Sequence, residues 1–165
     1  MSDSTETLTF KIGLSGTYHS KAPAYIVSIN EQEYASGRVE VESDETFYVT
    51  FDAELAVDDI AWALADGSRH ALRIKLTNKE DSDVIQNDDK TAIVKDLLLN
   101  ITSIEIDEID LGSLIWSHSV YRLDAPHEFN GTTVTELVNC VNLGWNGTWE
   151  LGFNTPFYIW LLENL

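Results

Sequence analysis

The chain has few residues that crosslink a protein, bend its backbone or give it positive charge. Its 165 residues include one cysteine, three prolines and only 10 lysine and arginine residues against 28 acidic residues. The single cysteine, Cys140, excludes an intrachain disulfide. A formal net charge of −18 argues against nucleic acid or an anionic membrane as a partner, because phosphate groups are bound by basic patches. Divalent cations or a neutral ligand suit this charge better.

Long apolar runs and catalytic signatures are missing as well. No apolar stretch approaches the roughly 18 residues of a membrane span. The N-terminal residues MSDSTET contain no apolar signal-peptide core, so we expect a soluble protein without a signal peptide. The nucleophile elbow, the P-loop, the zinc-protease HExxH motif and CxxC are all absent. We therefore predict that the protein is not an enzyme.

Short strands with one apolar face account for most of the chain. Apolar and polar residues alternate in residues 8–14, 25–29, 47–51 and 72–76, which is the period of a half-buried strand. Turn residues separate these stretches, and no long helical pattern interrupts them. At 44% hydrophobic residues, the chain can bury a substantial core. The pattern predicts an all-β fold, an antiparallel β-sandwich of the jelly-roll or immunoglobulin-like kind.

A change of parity marks one of these strands. Leu97, Leu99 and Ile101 share one parity, whereas Ile104 and Ile106 have the other. Because side chains alternate strictly along a strand, a flip of one residue predicts a bulge or a break at Thr102-Ser103.

An acidic loop, residues 79–95, separates the strand at 72–76 from the one that begins near Leu97. Two interpretations remain open for it. Most runs of charge are solvated loops, but calcium takes six to eight oxygen ligands, and this loop with its flanks supplies many. The oxygen-bearing side chains are Asn78, Glu80, Asp81, Asp83, Asn87, Asp88, Asp89 and Asp96.

The order of motifs resembles the calcium-dependent xylan-binding carbohydrate-binding modules. The resemblance covers roughly residues 8–112 and depends on Gly16-Thr17, Ala22-Pro23, Ser28-Ile29-Asn30, Phe47-Tyr48-Val49, Ile74-Lys75-Leu76-Thr77-Asn78 and Lys95-Asp96-Leu97. It implies a β-sandwich that binds sugar hydroxyls through calcium without catalysis. The sequence departs from the family at Lys79, where an acidic ligand is expected, and in the longer loop.

The resemblance also suggests which residues form the site, with a polysaccharide or cell-surface glycan as the partner. The calcium ligands would be Asn78, Glu80, Asp81, Asp83, Asp88, Asp89 and Asp96. Tyr18 and Trp62 are the candidates for stacking against sugar rings. Trp62 lies between Ala61 and Ala63, which favours core packing over sugar binding for it.

The C-terminal third differs in amino-acid composition from the rest of the chain. We predict a disordered N-terminus at residues 1–7, a sandwich at 8–115 and an aromatic-rich extension at 116–165. The stretch LVNCVNLGWNGTWELGFNTPFYIWLLENL, residues 137–165, resembles the C-termini of small structural proteins of marine tailed phages. This resemblance implies a virion protein that decorates the capsid or tail, aids adhesion, and contacts itself or other virion proteins. The assembly residues would be Phe157, Tyr158, Trp160, Leu161 and Leu162. The alternative function is a purely structural phage assembly protein that binds neither metal nor sugar.

Overall fold

The computed structural model describes residues 4–41, 44–57, 68–129 and 131–165, with the backbone alone for Phe129. Most of these residues belong to strands. In chain order the elements are β1 (Thr5–Thr17), β2 (Ala24–Ile29), β3 (Gln32–Arg38), β4 (Phe47–Ala56), β5 (His70–Leu76), a 3₁₀ turn (Asp81–Asp83), β6 (Ile85–Gln86), β7 (Ile93–Lys95), β8 (Leu98–Ile106), β9 (Ile109–Asp110), α1 (Leu114–Ser117), β10 (Ser119–Phe129), β11 (Thr132–Val138), β12 (Asn142–Leu143), β13 (Gly147–Phe153) and α2 (Phe157–Asn164).

Two antiparallel sheets pack face to face, which confirms the predicted β-sandwich. One sheet has the order β12-β8-β1-β4, with β9 paired to β8, and the other has the order β11-β10-β13-β5-β2-β3. Aromatic side chains bridge the two layers. The ring centroids of Phe10 and Phe153 lie 6.2 Å apart, and those of Tyr25 and Phe47 lie 5.9 Å apart. The hydrophobic core therefore lies between the sheets.

The alternating pattern of β1 places one face of that strand in the core. Leu8, Phe10, Ile12 and Leu14 are fully buried. The predicted bulge in β8 is confirmed, because Gly13 pairs with Ser103 while Leu14 pairs with Ile101, which leaves Thr102 as the extra residue. A Cβ atom on Gly13 would approach the Thr102 Oγ1 to 2.5 Å, so the bulge requires glycine opposite it.

Strand β1 begins at Thr5, within the N-terminal segment that the sequence predicted to be disordered. Thr5 already pairs with Ala56 in the sheet, and its hydroxyl donates to Glu54 Oε1 at 2.8 Å. The Glu6 carboxylate accepts the backbone N–H of Phe157 at 3.1 and 3.2 Å. Contacts distant in sequence therefore order these polar residues, and residues 1–3 lie outside the described part of the chain.

Strands from both sides of the predicted division at residue 115 pair within one sheet. β13 lies inside the six-stranded sheet, with β10 on one side and β5 on the other. Trp149, Leu151 and Phe153 of β13 are fully buried, as is Tyr121 of β10. The C-terminal third therefore completes the sandwich, because without it the five-stranded sheet would lose β11, β10 and β13 from the sheet that covers it.

Helix α2 divides the predicted assembly residues into two groups. Phe157, Trp160 and Leu161 are buried, and Trp160 lies against Phe153 with ring centroids 6.4 Å apart. Tyr158 and Leu162 are 49% and 74% exposed. The buried group belongs to the core, so only the exposed group can contact another molecule. Within the described ranges, no helix combines the length and apolar character needed to cross a bilayer.

Candidate functional site

The acidic loop connects β5 of one sheet to β8 of the other. Asparagine side chains fix its first residues. The Asn78 amide accepts from the backbone N–H of Ala24 at 2.8 Å and donates to the Ala22 carbonyl at 3.0 Å. Asn146 makes the same reciprocal pair with the backbone of Lys79, at 2.8 and 3.0 Å. The Asn78 oxygen expected to bind metal is therefore engaged in holding the backbone.

Two of the expected metal ligands are paired with Lys21. Its ammonium nitrogen lies 2.8 Å from Glu80 Oε1 and 3.1 Å from Asp83 Oδ2. Asp83 is buried, and its carboxylate also accepts the backbone N–H of Glu80 at 2.7 Å. Burial raises the pKa of Asp83, but the bonds from the Glu80 backbone and Lys21 outweigh it, so the net pKa lies below its ordinary value.

A third expected ligand, Asp96, is paired with Lys79. The Lys79 ammonium lies 2.5 Å from Asp96 Oδ1 and 2.5 Å from the Gly144 carbonyl. The pair is largely buried, with the Lys79 side chain 10% exposed and that of Asp96 22% exposed. The same Asp96 oxygen accepts the backbone N–H of Leu97 at 2.7 Å. A cation from the chain itself therefore occupies this carboxylate.

The remaining expected ligands lie apart from these. Asp88 and Asp89 are exposed at the tip of the β6–β7 hairpin, and Asp81 is exposed in the 3₁₀ turn. Within the described residues, no three or more histidine, cysteine, aspartate and glutamate side chains form a group able to hold a metal ion. The predicted ligand set is therefore not assembled, because the loop spreads its carboxylates and lysines bind the inner ones.

A groove beside the start of the acidic loop combines aromatic and polar side chains. We call it the Trp145 groove. It has a volume of about 450 Å³, and its lining residues are Lys79, Glu80, Asp81, Val84, Asp124, Ala125, His127, Trp145 and Asn146. The rings of His127 and Trp145 lie with centroids 4.8 Å apart and planes inclined by 37°.

The fold holds Trp145 in place through Tyr121. The tyrosine hydroxyl donates to the Trp145 carbonyl and accepts the Trp145 backbone N–H at 3.1 Å. Burial raises the pKa of Tyr121 far above its ordinary value, so the hydroxyl stays protonated. The turn also needs Gly147, since a Cβ there would come within 2.4 Å of the Arg122 carbonyl.

A wide bulge in β10 supplies the opposite wall of the groove. Arg122 pairs with Glu136 and His127 pairs with Val134, so residues 123–126 oppose only Thr135. The backbone N–H of Asp124 within the bulge donates to the Asn146 carbonyl at 2.9 Å. The bulge brings Asp124 and His127 to the groove, because extra residues in a strand redirect its side chains.

A second groove is lined by Asp96, the partner of Lys79 in the ion pair. This Tyr18 groove has a volume of about 420 Å³ and is lined by Thr17, Tyr18, His19, Ile93, Val94, Lys95 and Asp96. Tyr18 is 36% exposed, and its hydroxyl donates to the Val41 carbonyl at 3.2 Å. The other aromatic residue expected to bind sugar, Trp62, lies outside the described residues.

Comparison with known proteins identifies the fold. The selenomethionine form of vCBM60, from work on a circular permutation linking two families of calcium-dependent carbohydrate-binding modules, matches with a TM-score of 0.51 and 10% identity, over 88% of this chain and 90% of that one. The chain has the fold of a carbohydrate-binding module. A vCBM60 complex with galactobiose matches at a TM-score of 0.49 and 10% identity, over 87% of this chain and 97% of that one. No protein-family model and no curated protein matches the sequence.

The match to a carbohydrate-binding module confirms the sandwich fold. The calcium ion expected from the sequence resemblance does not suit the residues found here. Calcium takes six to eight oxygens at about 2.3–2.6 Å. In the described part of the chain, the carboxylates of Glu80, Asp83 and Asp96 instead bind lysine ammonium groups. The donor set therefore does not fit a calcium ion.

Sequence reasoning missed the aromatic wall of the Trp145 groove. His127 has no nearby partner in sequence, and its contact with Trp145 arises only when β10 and β13 pair. The segment Gly144-Trp145-Asn146-Gly147 did carry a signal, since its two glycines predict a hairpin turn at Trp145, and the structure places Trp145 partly buried against the core. Nothing in the sequence indicates that Asp124 would join it.

Proposed function

We propose that this protein is a non-catalytic module that binds a neutral glycan in the Trp145 groove. The observation that carries the proposal is the pairing of Trp145 and His127 with Asp81 and Asp124 around one groove. Ligand sites combine aromatic walls with a few placed polar groups, and sugars need both. The apolar C–H face of a pyranose ring packs on an aromatic face, and its hydroxyls donate hydrogen bonds to carboxylates.

Charge favours a neutral glycan over an acidic one. Glu80, Asp81 and Asp124 line the groove, and the chain carries a net charge of −18. A uronic acid would meet negative potential on approach and at the site. A neutral sugar has no such cost, and it gains from carboxylate acceptors, which form stronger hydrogen bonds than neutral ones.

The groove is held in shape before any ligand arrives. Tyr121 fixes the backbone at Trp145, and Asn146 fixes the backbone at Lys79. Binding then orders few side chains, which limits its entropic cost. A non-catalytic binding module requires only such a preformed groove. In keeping with such a role, Glu80 is paired with Lys21, and the sequence carries no catalytic motif.

The two grooves together suit a glycan of several sugar units. Lys79 lines the Trp145 groove, whereas Asp96 lines the Tyr18 groove. The two side chains touch at 2.5 Å, so the ion pair separates neighbouring sites. A chain crossing it would pack on Trp145 at one end and on Tyr18 at the other.

Affinity electrophoresis in gels that contain neutral xylan tests the proposal, with polygalacturonate as the charged comparison. We expect xylan to retard the wild-type protein and polygalacturonate not to. Trp145→Ala should weaken binding by about tenfold or more, the loss expected for a central aromatic contact. Trp116→Ala is the matched control, because Trp116 is 50% exposed and lines neither groove.

Two results would contradict the proposal. One is that none of the neutral polysaccharides xylan, galactan and mannan slows the migration of the wild-type protein. The other is equal weakening in the Trp145 and Trp116 variants, which would place binding elsewhere. Circular dichroism of each variant separates a lost contact from a lost fold.

A second candidate function is assembly through α2. We propose that its exposed face contacts another copy of the chain or another virion protein of a tailed phage, where the module would serve decoration or adhesion. The resemblance of the C-terminal sequence to phage structural proteins supports this. So does the exposed apolar face, which comprises Tyr158, Ile159, Leu162 and Leu165.

A further inference from the structure

Lysines bind three of the carboxylates that the sequence resemblance suggested as calcium ligands, those of Glu80, Asp83 and Asp96. Lys79 stands directly after Asn78, and its ammonium binds both Asp96 and the Gly144 carbonyl at 2.5 Å. Lys21 approaches from the loop after β1 and binds Glu80 and Asp83. Each lysine joins segments far apart in sequence, as a bound metal ion would.

We propose that the ammonium groups of Lys79 and Lys21 replace calcium in this protein, so that neither its fold nor its grooves need a divalent cation. An ammonium group donates three hydrogen bonds and is satisfied by two or three oxygens, whereas calcium needs six to eight. Around Lys79 the structure supplies one carboxylate oxygen and one carbonyl. That number suits the lysine and falls well short of a calcium shell.

Electrostatics also opposes the entry of calcium while Lys79 is in place. The Lys79 side chain is 10% exposed, so its charge is poorly screened by water. A dication at the same carboxylate would face this ammonium at short range. Displacing the lysine would leave its charge largely buried without a partner, which is strongly destabilising.

The backbone of Lys79 is fixed independently of its charge. Asn146 forms hydrogen bonds with both the backbone N–H and the carbonyl of Lys79. The preceding residue, Asn78, is held through its side chain to the backbone of Ala22 and Ala24. Neutralising the side chain should therefore remove the cation and leave the path of the chain intact.

Thermal unfolding of the wild-type protein tests the proposal without any glycan, so it stands or falls independently of glycan binding. Unfolding is followed after dialysis against EDTA, then in millimolar calcium, in magnesium and in sodium chloride of equal ionic strength. The controls are needed because any salt screens the self-repulsion of a chain with a net charge of −18. We expect equal Tm values in calcium and magnesium. Protein purified in calcium buffer should contain far less than one calcium per chain by elemental analysis.

The variant Lys79→Met keeps the length of the side chain and removes its charge. We expect its Tm to fall by at least about 6 °C, as when one partner of a buried ion pair is removed. Lys95→Met, at an exposed position in the same loop, should change it by no more than about 2 °C.

Two results would overturn the proposal. A calcium-specific rise in the wild-type Tm of more than about 3 °C relative to magnesium would show that the folded state binds calcium. Equal Tm values for Lys79→Met and Lys95→Met would show that the Lys79 charge contributes nothing. The wild-type comparison remains decisive even if the Lys79 variant fails to fold.

Discussion

The charge state and hydrogen bonds of single residues in this sandwich depend on partners from distant segments of the chain. His70 shows this outside the grooves. Its ring is 2% exposed, with Nδ1 accepting from the Asn30 amide at 2.8 Å and Nε2 donating to the Ala56 carbonyl at 3.0 Å. Burial lowers the pKa of His70 below its ordinary value, although the bond to Ala56 opposes this. The folded protein therefore holds the imidazole neutral.

This histidine makes stability depend on pH. Above about pH 6.5 the imidazole is neutral in both states, and its full contribution is present. As the pH falls through that value, the unfolded chain takes up a proton that the folded chain does not, so stability is lost. We expect the difference in Tm between the wild-type protein and His70→Gln to narrow between pH 8 and pH 5. The comparison removes the effects of other titrating groups, and a difference that stays constant with pH would contradict the assignment.

Among the elements, α2 shows how a helix can depend on its surroundings. It has eight residues, too few for a helix to be stable alone in water. Phe157 and Trp160 anchor it, with ring centroids 5.9 Å apart. Glu6 receives its first N–H, and a carboxylate at a helix N-terminus also interacts favourably with the helix dipole. The element is therefore a product of tertiary contacts.

The two faces of α2 should respond differently to substitution. Phe157→Ala removes a fully buried ring and should cost about 3–5 kcal/mol in the free energy of unfolding, measured with urea. Leu162→Asp, on the exposed face, should change it by no more than about 0.5 kcal/mol. If α2 serves assembly, sedimentation velocity will show self-association in the wild-type protein and its loss in Leu162→Asp. A monomeric wild type would remove the second copy as the partner.

The whole molecule is one sandwich built from both ends of the chain. β13, near the C-terminus, pairs with β5, and β1, near the N-terminus, lies between β4 and β8. Cutting the chain at residue 115 removes β10 to β13 and with them the fully buried Tyr121, Trp149, Leu151 and Phe153.

We therefore expect a fragment of residues 1–115 not to fold by itself. Its circular dichroism should show no cooperative thermal transition, because the five-stranded sheet loses much of the face that covers it. Mixing it with a fragment of residues 116–165 should restore the transition if the two re-form the core. A fragment 1–115 that unfolds cooperatively and gives dispersed amide NMR signals would show that the sandwich divides as the sequence suggested.

The sequence by itself determined the strands at residues 8–14, 25–29, 47–51 and 72–76, the fold class and the change of parity at Thr102-Ser103. These features depend on alternation along the chain, which any sheet must satisfy to bury one face. It also showed a resemblance to carbohydrate-binding modules, whose fold the chain has.

Only the tertiary structure decided which groups the carboxylates of the acidic loop bind. The sequence shows carboxylates close together, but not that Lys21 and the carbonyl of Gly144 reach them from other segments. The same applies to His127 and Trp145, which meet through strand pairing and a bulge. Charge in sequence predicts which ions a loop attracts. Whether a metal or a lysine satisfies that charge depends on which oxygens and which ammonium groups the fold brings within about 3 Å of one another.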